Sequence, residues 1–343
     1  STILHGARTV AIDAWRRPSA GPDQFGGGAL EADGTPRDTW EALRQTAKDL
    51  ERMADCLPGY APQCDVLILD DPASAMLARF NLFFQFDRPS HVAQLYGILR
   101  RFGCAIRVVE QLPDSLPGYR LIVVPAKLVD DPAVSARLAD YVRVGGCLLT
   151  TMLTGVTDRH GATGPEWPMS LTETLGIRIR QWKFPKPGET IKIRLAGRRD
   201  DRTDRETPRP ETGVWFEQVF PLTGRTLWEY AGYPLDGYPA LTHNKLGTGD
   251  AFHAAARGTP ALWEAVLTRH VLPSAGLPAA ILPEGVELIR FTSKGGPGTA
   301  VINHRGKRVD LTLEGRWRDV VSGNKVKELR HLRPYDMVVL LDM

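Results

Sequence analysis

DVLILDD at residues 65–71 begins the stretch that decides the fold of this chain. It continues as SHVAQLYGILRRFG (90–103), AIRVVE (105–110), YRLIVVPA (119–126), DPAVSARLADYVRVGG (131–146) and CLLTT (147–151). Four short apolar runs alternate with two amphipathic runs, which is the pattern of strands joined by crossover helices. The stretch therefore predicts an α/β fold built on a doubly wound parallel sheet.

The periodicity within this stretch supports helices that cover the sheet. Apolar side chains recur every three or four residues in the first amphipathic run, at Val92, Leu95, Tyr96, Leu99 and Phe102. The second run has Pro132 near its start and Gly145 and Gly146 just past its end, where helices favour these residues. Each run thus predicts a helix with one face on the sheet.

Composition and charge argue against several classes of protein. The 343 residues carry a formal net charge of +3, and no basic stripe of the kind that binds nucleic acid stands out. No apolar run reaches the ~20 residues that span a bilayer, and the first ten residues lack the pattern of a signal peptide. We therefore expect a cytoplasmic protein without a nucleic-acid or membrane partner.

Metal and cofactor motifs are not recognisable in the sequence. The cysteines form no C-x-x-C pair, so free thiols in a reducing compartment are expected instead of a metal site; they are Cys56, Cys64, Cys104 and Cys147. GTGDAF at 247–252 lacks a glycine of the dinucleotide fingerprint and is interpreted as a turn. The mixed-charge run GRRDDRTDRE at 197–206 is interpreted as a solvated loop. No cofactor and no metal are predicted.

Residues 1–58 form a separate segment at the start of the chain. Residues 3–7 resemble the end of a helix, 9–15 predict a strand, and a Gly/Pro-rich loop covers 18–28. A helix is predicted over 36–53, with Trp40, Leu43, Ala47 and Leu50 in one stripe. One strand and one helix bury too little apolar area to offset the entropy of ordering roughly fifty residues. The segment therefore needs neighbours that it does not supply itself.

The chain after residue 151 predicts further strands and a second domain. The loop 154–164 follows a strand end, where open α/β sheets bind ligands, but packing on a neighbouring subunit is the favoured interpretation. Short strands are predicted in 190–195, 213–222, 225–231 and 243–255, followed by a helix over 260–276. From residue 285 onward, short alternating strands separated by Gly, Lys and Asp predict a small antiparallel β domain.

The order of these segments resembles the C-terminal portion of the family 42 glycoside hydrolases, the beta-galactosidase family. The resemblance rests on LHGARTVAIDAWRR (4–17), AGPDQFGGG (20–28) and the stretch 119–151. It implies three parts: residues 1–58 as the last strand and helix of a (β/α)8 barrel, 59–281 as a flavodoxin-like trimerisation domain, and 282–343 as an antiparallel C-terminal domain.

The resemblance also implies where a sugar would bind. Residues at the rim of the family's sugar site correspond to Trp15, Arg16, Asp23 and Phe25 here. Where the family often carries a Glu and a His, this chain has Asp23 and Gly26, so galactose specificity is not carried over. The family's two catalytic glutamates end earlier barrel strands, so no catalytic residue is assigned and this chain alone is expected to be inactive.

Partners are implied by the resemblance, and two alternative functions stay open. The resemblance implies a homotrimer, a galactoside-type substrate when the barrel is complete, and a possible partner chain that carries the rest of the barrel. One alternative is a noncatalytic module for oligomerisation or carbohydrate binding. A less favoured alternative is an amidotransferase-like hydrolase with Cys147 as nucleophile, although Cys147 begins a strand and His160, His243, His253 and His270 show no matching spacing.

Overall fold

The computed structural model describes residues 1–54, 56, 58–80, 86–183, 191–197 and 215–343. The predicted loop at 197–206 lies outside these ranges after its first residue. The helices are α1 Asp38–Met53, α2 Pro72–Phe80, α3 Arg88–Arg101, α4 Pro132–Arg143, α5 Thr172–Leu175, α6 Pro260–Val266 and α7 Leu272–Ser274. Short 3-10 helices occupy Thr2–His5 and Met169–Leu171, and a π-helical stretch, Leu267–Val271, joins α6 to α7. None of the helices in the described ranges is long and apolar enough to cross a bilayer.

The strands fall into three sheets. In chain order they are β1 Ala61–Pro62, β2 Val66–Leu69, β3 Ile106–Val109, β4 Leu121–Val124, β5 Cys147–Thr151, β6 Ile177–Lys183, β7 Lys192–Leu195, β8 Phe216–Pro221, β9 Arg225–Ala231, β10 Pro239–Leu246, β11 Gly249–Ala254, β12 Val286–Ser293, β13 Gly296–Asn303, β14 Val309–Asp319, β15 Lys325–Leu332 and β16 Met337–Asp342.

The chain divides into two compact units, one formed by Cys64–Ile281 and the other by Ser1–Gln63 together with Leu282–Met343. The predicted division into three parts, with boundaries after residues 58 and 281, stays a prediction.

The larger unit contains the predicted doubly wound sheet. Its eight strands lie in the order β3-β2-β4-β5-β11-β10-β9-β7. The first five are parallel to one another, and the last three continue the sheet in antiparallel pairing. Taken in chain order, the parallel strands have the arrangement 2-1-3-4-5 of the flavodoxin-like fold. The fold class predicted from 65–151 is confirmed.

Burial explains why the sequence forms this sheet. All four residues of β2 and all four of β4 are buried, as expected for strands with helices on both faces. Helix α4 begins where the Asp131 side chain accepts hydrogen bonds from the amides of Ala133 and Val134, at 3.0 and 3.2 Å. It ends before Gly145, whose φ of 110° few other residues adopt.

The predicted strands after residue 151 form an excursion that returns to the sheet. β6 pairs with β8 in a separate two-stranded sheet, while β7, β9 and β10 extend the large one. β11 then lies beside β5 in parallel register, with Phe252 opposite Leu149. GTGDAF is a turn only at Gly247 and Thr248, because residues from Gly249 onward belong to β11.

The smaller unit is built on the predicted antiparallel sheet, with strands in the order β1-β12-β13-β16-β14-β15. Every strand pair in this sheet is antiparallel. One face buries Ile289, Phe291 and Val339 together with Leu4 and Met53 from the start of the chain. The antiparallel C-terminal domain is confirmed, and part of the N-terminal segment contributes to its core.

The predicted strand at 9–15 is wrong for this chain. These residues form no strand, and their apolar side chains are exposed: 48% for Val10, 56% for Ile12 and 64% for Trp15. The predicted helix does form as α1, but Met53 is its only buried residue. A strand needs hydrogen-bonding neighbours and an amphipathic helix needs an apolar surface. Among the described residues, 9–15 pair with no strand, and the apolar stripe of α1 is covered only in part.

Candidate functional site

The four predicted sugar contacts lie at the end of residues 9–15 and in the loop that follows. Backbone hydrogen bonds close its base, because the amide of Leu30 donates to Trp15 O at 2.9 Å and that of Arg17 to Leu30 O at 3.0 Å. Gly28 is needed at this closure, since a Cβ there would lie 2.6 Å from the Arg17 nitrogen. The loop is therefore closed by its own backbone.

The predicted contact residues are not gathered into one pocket. The Trp15 ring meets the Trp40 ring edge-on at 5.3 Å, and Arg16 Nε donates to Ala32 O at 2.6 Å. Asp23 and Phe25 lie in the turn between, both exposed, with 88% of Phe25 accessible. Among the described residues, no hydrogen bond, ion pair or ring contact joins either of them to Trp15 or Arg16. Their role as sugar contacts stays a prediction.

A second candidate region is the carboxyl edge of the parallel sheet, where doubly wound folds bind ligands at the point at which strand order reverses. Here that point lies between β2 and β4, and the buried side chain of Arg88 fills it. The guanidinium pairs with Asp70 and donates to Ala126 O at 3.1 Å and Pro125 O at 3.3 Å. Because the Arg88 guanidinium occupies this crevice, Arg88 has a structural role here.

The loop 154–164, at the same edge of the sheet, divides into a buried and an exposed part. Thr154 and Thr157 are buried, and the amides of Gly155 and Thr157 donate to Lys127 O and Leu128 O at 2.8 and 3.0 Å. Residues 159–163 are exposed. The first part therefore packs within its own chain, while contact of the second part with a neighbouring subunit stays a prediction.

The structure argues against Cys147 as a nucleophile. Its thiol is 1% exposed at the start of β5, and its nearest polar partner is Val271 O at 3.9 Å. Burial raises the pKa of this thiol far above its ordinary value, so the reactive thiolate is suppressed. Among the described residues, no group of His, Cys, Asp and Glu side chains is placed to hold a metal ion.

A buried carboxylate that was not predicted from the sequence joins several elements of the larger unit. Glu217, in β8, is fully buried, and its carboxylate accepts four hydrogen bonds. The donors are Leu153 N at 2.8 Å, Trp215 Nε1 at 3.2 Å, Trp167 Nε1 at 3.4 Å and His253 Nε2 at 2.7 Å. The other ring nitrogen of His253 lies 2.9 Å from Thr150 Oγ1.

This Glu217 cluster holds the excursion against the parallel sheet. It ties β8 to the turn after β5 and to β11, and it fixes two of the three indoles in a row, Trp167, Trp182 and Trp215. Its complete burial leaves no room for a substrate. The signal in the sequence was a charged or titratable residue inside each of two apolar runs, WFEQVF and DAFHAA.

Comparison with known proteins agrees with the fold and with the resemblance. Residues 68–278 match a family model described as the beta-galactosidase trimerisation domain. Beta-galactosidase Bga of Halorubrum lacusprofundi is 29% identical over 311 residues, which are 90% of this chain and 43% of that protein. A beta-galactosidase from an Arthrobacter species is 25% identical over 333 residues, 94% of this chain and 45% of that protein.

Solved structures show the same architecture. Beta-galactosidase from Bacillus circulans sp. alkalophilus matches with a TM-score of 0.88 at 19% identity, over 98% of this chain and 50% of that one. The beta-galactosidase of the Antarctic haloarchaeon Halorubrum lacusprofundi matches with a TM-score of 0.84 at 24% identity, over 99% and 48%. This chain thus spans about half the length of the relatives that it matches.

Proposed function

Since this chain belongs to the family 42 beta-galactosidases, as part of their C-terminal portion, we propose that it is the assembly half of such an enzyme. In this proposal the complete enzyme hydrolyses a galactoside, and the unit Cys64–Ile281 holds its subunits together. The family model supports self-association through this unit, because it describes a trimerisation domain and covers residues 68–278. We propose that the assembly is a homotrimer.

The observation that carries this proposal is the uncovered N-terminal segment. Val10, Ile12 and Trp15 are about half or more exposed, and the stripe of α1 is covered only in part. Apolar side chains that are exposed together at neighbouring positions indicate a surface that packs against another part of a protein. We propose that this surface is the remainder of a (β/α)8 barrel, on the same or a partner polypeptide.

Under this proposal the chain supplies contacts to the sugar but not the catalytic carboxylates. Trp15, Arg16, Asp23 and Phe25 become rim residues once the loop packs on a barrel. A retaining glycosidase needs two carboxyl groups about 5 Å apart, and we place both on the remaining barrel strands. Because the cysteines of the described chain are free thiols, we propose a cytoplasmic location.

The test combines the mass of the purified chain in solution with its activity. We expect light scattering to give the mass of three chains, and we expect no hydrolysis of nitrophenyl beta-galactoside, alpha-arabinopyranoside or beta-fucoside. A monomer at every concentration tested would contradict the assembly role. Turnover that survives repurification and is lost in Asp13→Asn or Asp23→Asn would show instead that this chain carries its own catalytic carboxylate.

A further inference from the structure

Residues of the paired strands β14 and β15 line an open cleft, and an indole is part of that lining. The cleft has a volume of about 700 Å³. Its lining includes Glu314, Trp317, Val326 and Glu328. This volume is in the range of small-molecule sites, which combine apolar or aromatic surface with a few polar groups.

A β-bulge brings the indole and two carboxylates to the same face. Glu314 pairs with Glu328, and Trp317 pairs with Val326, so β14 uses one more residue than β15 between the two pairs. Side chains alternate along a strand, so Val326 and Glu328 share a face, and their partners Glu314 and Trp317 share it with them. Leu313 and Leu329 form the next pair and pack towards the core on the opposite face.

Gly315 positions the indole. A Cβ at this residue would lie 2.2 Å from Cζ2 and 2.4 Å from Cε2 of Trp317, so any larger residue would displace the ring. Such packing of an aromatic side chain over a strand glycine is a known stabilising arrangement. The Trp317 ring therefore rests on backbone and lines the cleft as a fixed apolar surface.

The polar groups around this surface include both acceptors and donors. Glu314 and Glu328 face each other across the strands, an arrangement of like charges that destabilises a sheet. Arg330 Nη2 offsets part of this repulsion, at 2.8 Å from Glu328 Oε2. Arg316 and Lys327 also line the cleft. Local arrangements that oppose stability are expected at functional sites.

We propose that this cleft binds a neutral saccharide, with a pyranose ring stacked on Trp317 and its hydroxyls bonded to the carboxylates of Glu314 and Glu328. A sugar ring offers an apolar C–H face and a rim of groups that both donate and accept hydrogen bonds, which matches an indole between carboxylates and cationic side chains. A cationic ligand would compete with Arg330, which already pairs with Glu328. The choice of a galactoside-type sugar rests on the proposed function.

The test is fluorine NMR of the whole chain labelled with 5-fluorotryptophan. The eight tryptophans give separate probes, and Trp317→Phe assigns the resonance of Trp317. We expect a beta-1,4-linked galactotetraose to shift that resonance in a saturable way. We expect affinity to fall about tenfold or more in Trp317→Ala and in Gly315→Val, and by a smaller factor in Glu314→Gln. Tyr335→Ala removes an exposed aromatic ring from the same unit and serves as the control with unchanged affinity.

Each other result overturns the inference. A Trp317 resonance that stays unshifted by galactotetraose, cellotetraose and xylotetraose would show that the cleft takes no saccharide. A shift produced by trimethyllysine but by no sugar would assign the cleft to a cation instead. A saccharide that shifts only the Trp15 resonance would refute binding at Trp317 and support a sugar contact in the N-terminal loop, so the two proposals fail separately.

Discussion

VLIL at 66–69 and TVAIDAW at 9–15 both predict strands, but only the first becomes one. In β2, no residue is more than 2% exposed, since the strand pairs with β3 and β4 and lies in a sheet with helices on both faces. In the earlier segment, Ile12 is 56% exposed and no strand is present. The difference shows that an apolar pattern gives a segment the capacity to pair, whereas the neighbours available decide whether it does.

The largest expected effect is a loss of stability in the larger unit, which contains the buried strand of this comparison. Glu217→Ala removes the acceptor of four hydrogen bonds in the core of the larger unit and leaves a cavity. We expect the free energy of unfolding to fall by about 3–5 kcal/mol. Urea denaturation followed by tryptophan fluorescence measures it. Glu173→Ala, on an 80% exposed side chain, is the control and should change stability by less than about 0.5 kcal/mol. Equal effects would refute a structural role for the Glu217 cluster.

A pair of truncations compares the two apolar runs directly. Leu67→Ala in β2 deletes a fully buried side chain, and we expect a loss of about 3 kcal/mol in the free energy of unfolding. Ile12→Ala removes a side chain of similar size that is more than half exposed, so we expect a loss below about 0.5 kcal/mol. The same urea titration reports both, complemented by circular dichroism for the smaller unit. A large loss for Ile12→Ala would mean that 9–15 is packed in solution.

The pH dependence of stability gives a third test within the larger unit. Burial lowers the pKa of His91, in α3, to about 3, whereas the unfolded chain binds this proton near pH 6.5. Stability is therefore full above pH 6.5 and falls by about 1.4 kcal/mol for each pH unit below it, until the pKa of the folded state is reached.

Substitution separates this contribution from other acid effects. We expect the loss of stability between pH 6.5 and 5 to be less steep in His91→Gln than in the original chain, by about 1.4 kcal/mol per pH unit. His160→Gln, in the exposed part of the loop 154–164, should leave the slope unchanged. Parallel curves for His91→Gln and the original chain would contradict burial of a neutral imidazole.

The smallest expected effect is a loss of stability from a substitution in the exposed segment 9–15. Trp15→Ala removes the edge-on contact with Trp40. Because 64% of Trp15 is exposed, we expect α1 to lose only about 0.5–1 kcal/mol of stabilisation. Far-ultraviolet circular dichroism during thermal unfolding measures it. Phe25→Ala is the matched control, since Phe25 has no ring contact among the described residues. A larger loss would assign Trp15 a packed role in this chain.

Local pattern was sufficient to predict much of the larger unit. β2 and β4 are continuous apolar runs, and β5 is a short run of apolar residues and threonines. Helices α3 and α4 carry apolar stripes with proline or glycine at their ends, so each element is specified by its own residues. The parallel pairing of β11 with β5 depends on residues about a hundred positions apart, so no local pattern reveals it. No local pattern reveals the contact between Glu217 and His253 either, since these residues are 36 positions apart.

The candidate sites were less predictable than the fold. Trp15, Arg16, Asp23 and Phe25 were assigned by resemblance, and the structure leaves them exposed, so their role as sugar contacts stays a prediction. The Trp317 cleft depends on a bulge that changes which side chains share a face, and alternation in the sequence alone places Glu314 and Trp317 on opposite faces.

Hydrogen exchange of the purified chain, read by mass spectrometry, tests the contrast between the two runs most directly. We expect amides of residues 9–15 to exchange within about seconds, because no hydrogen-bonded strand protects them, while those of 66–69 and 121–124 stay protected for about hours. This result would support an N-terminal segment that needs barrel neighbours beside an already complete sheet. Protection of 9–15 equal to that of 66–69 would contradict it, since the segment would then have a packed partner in this chain.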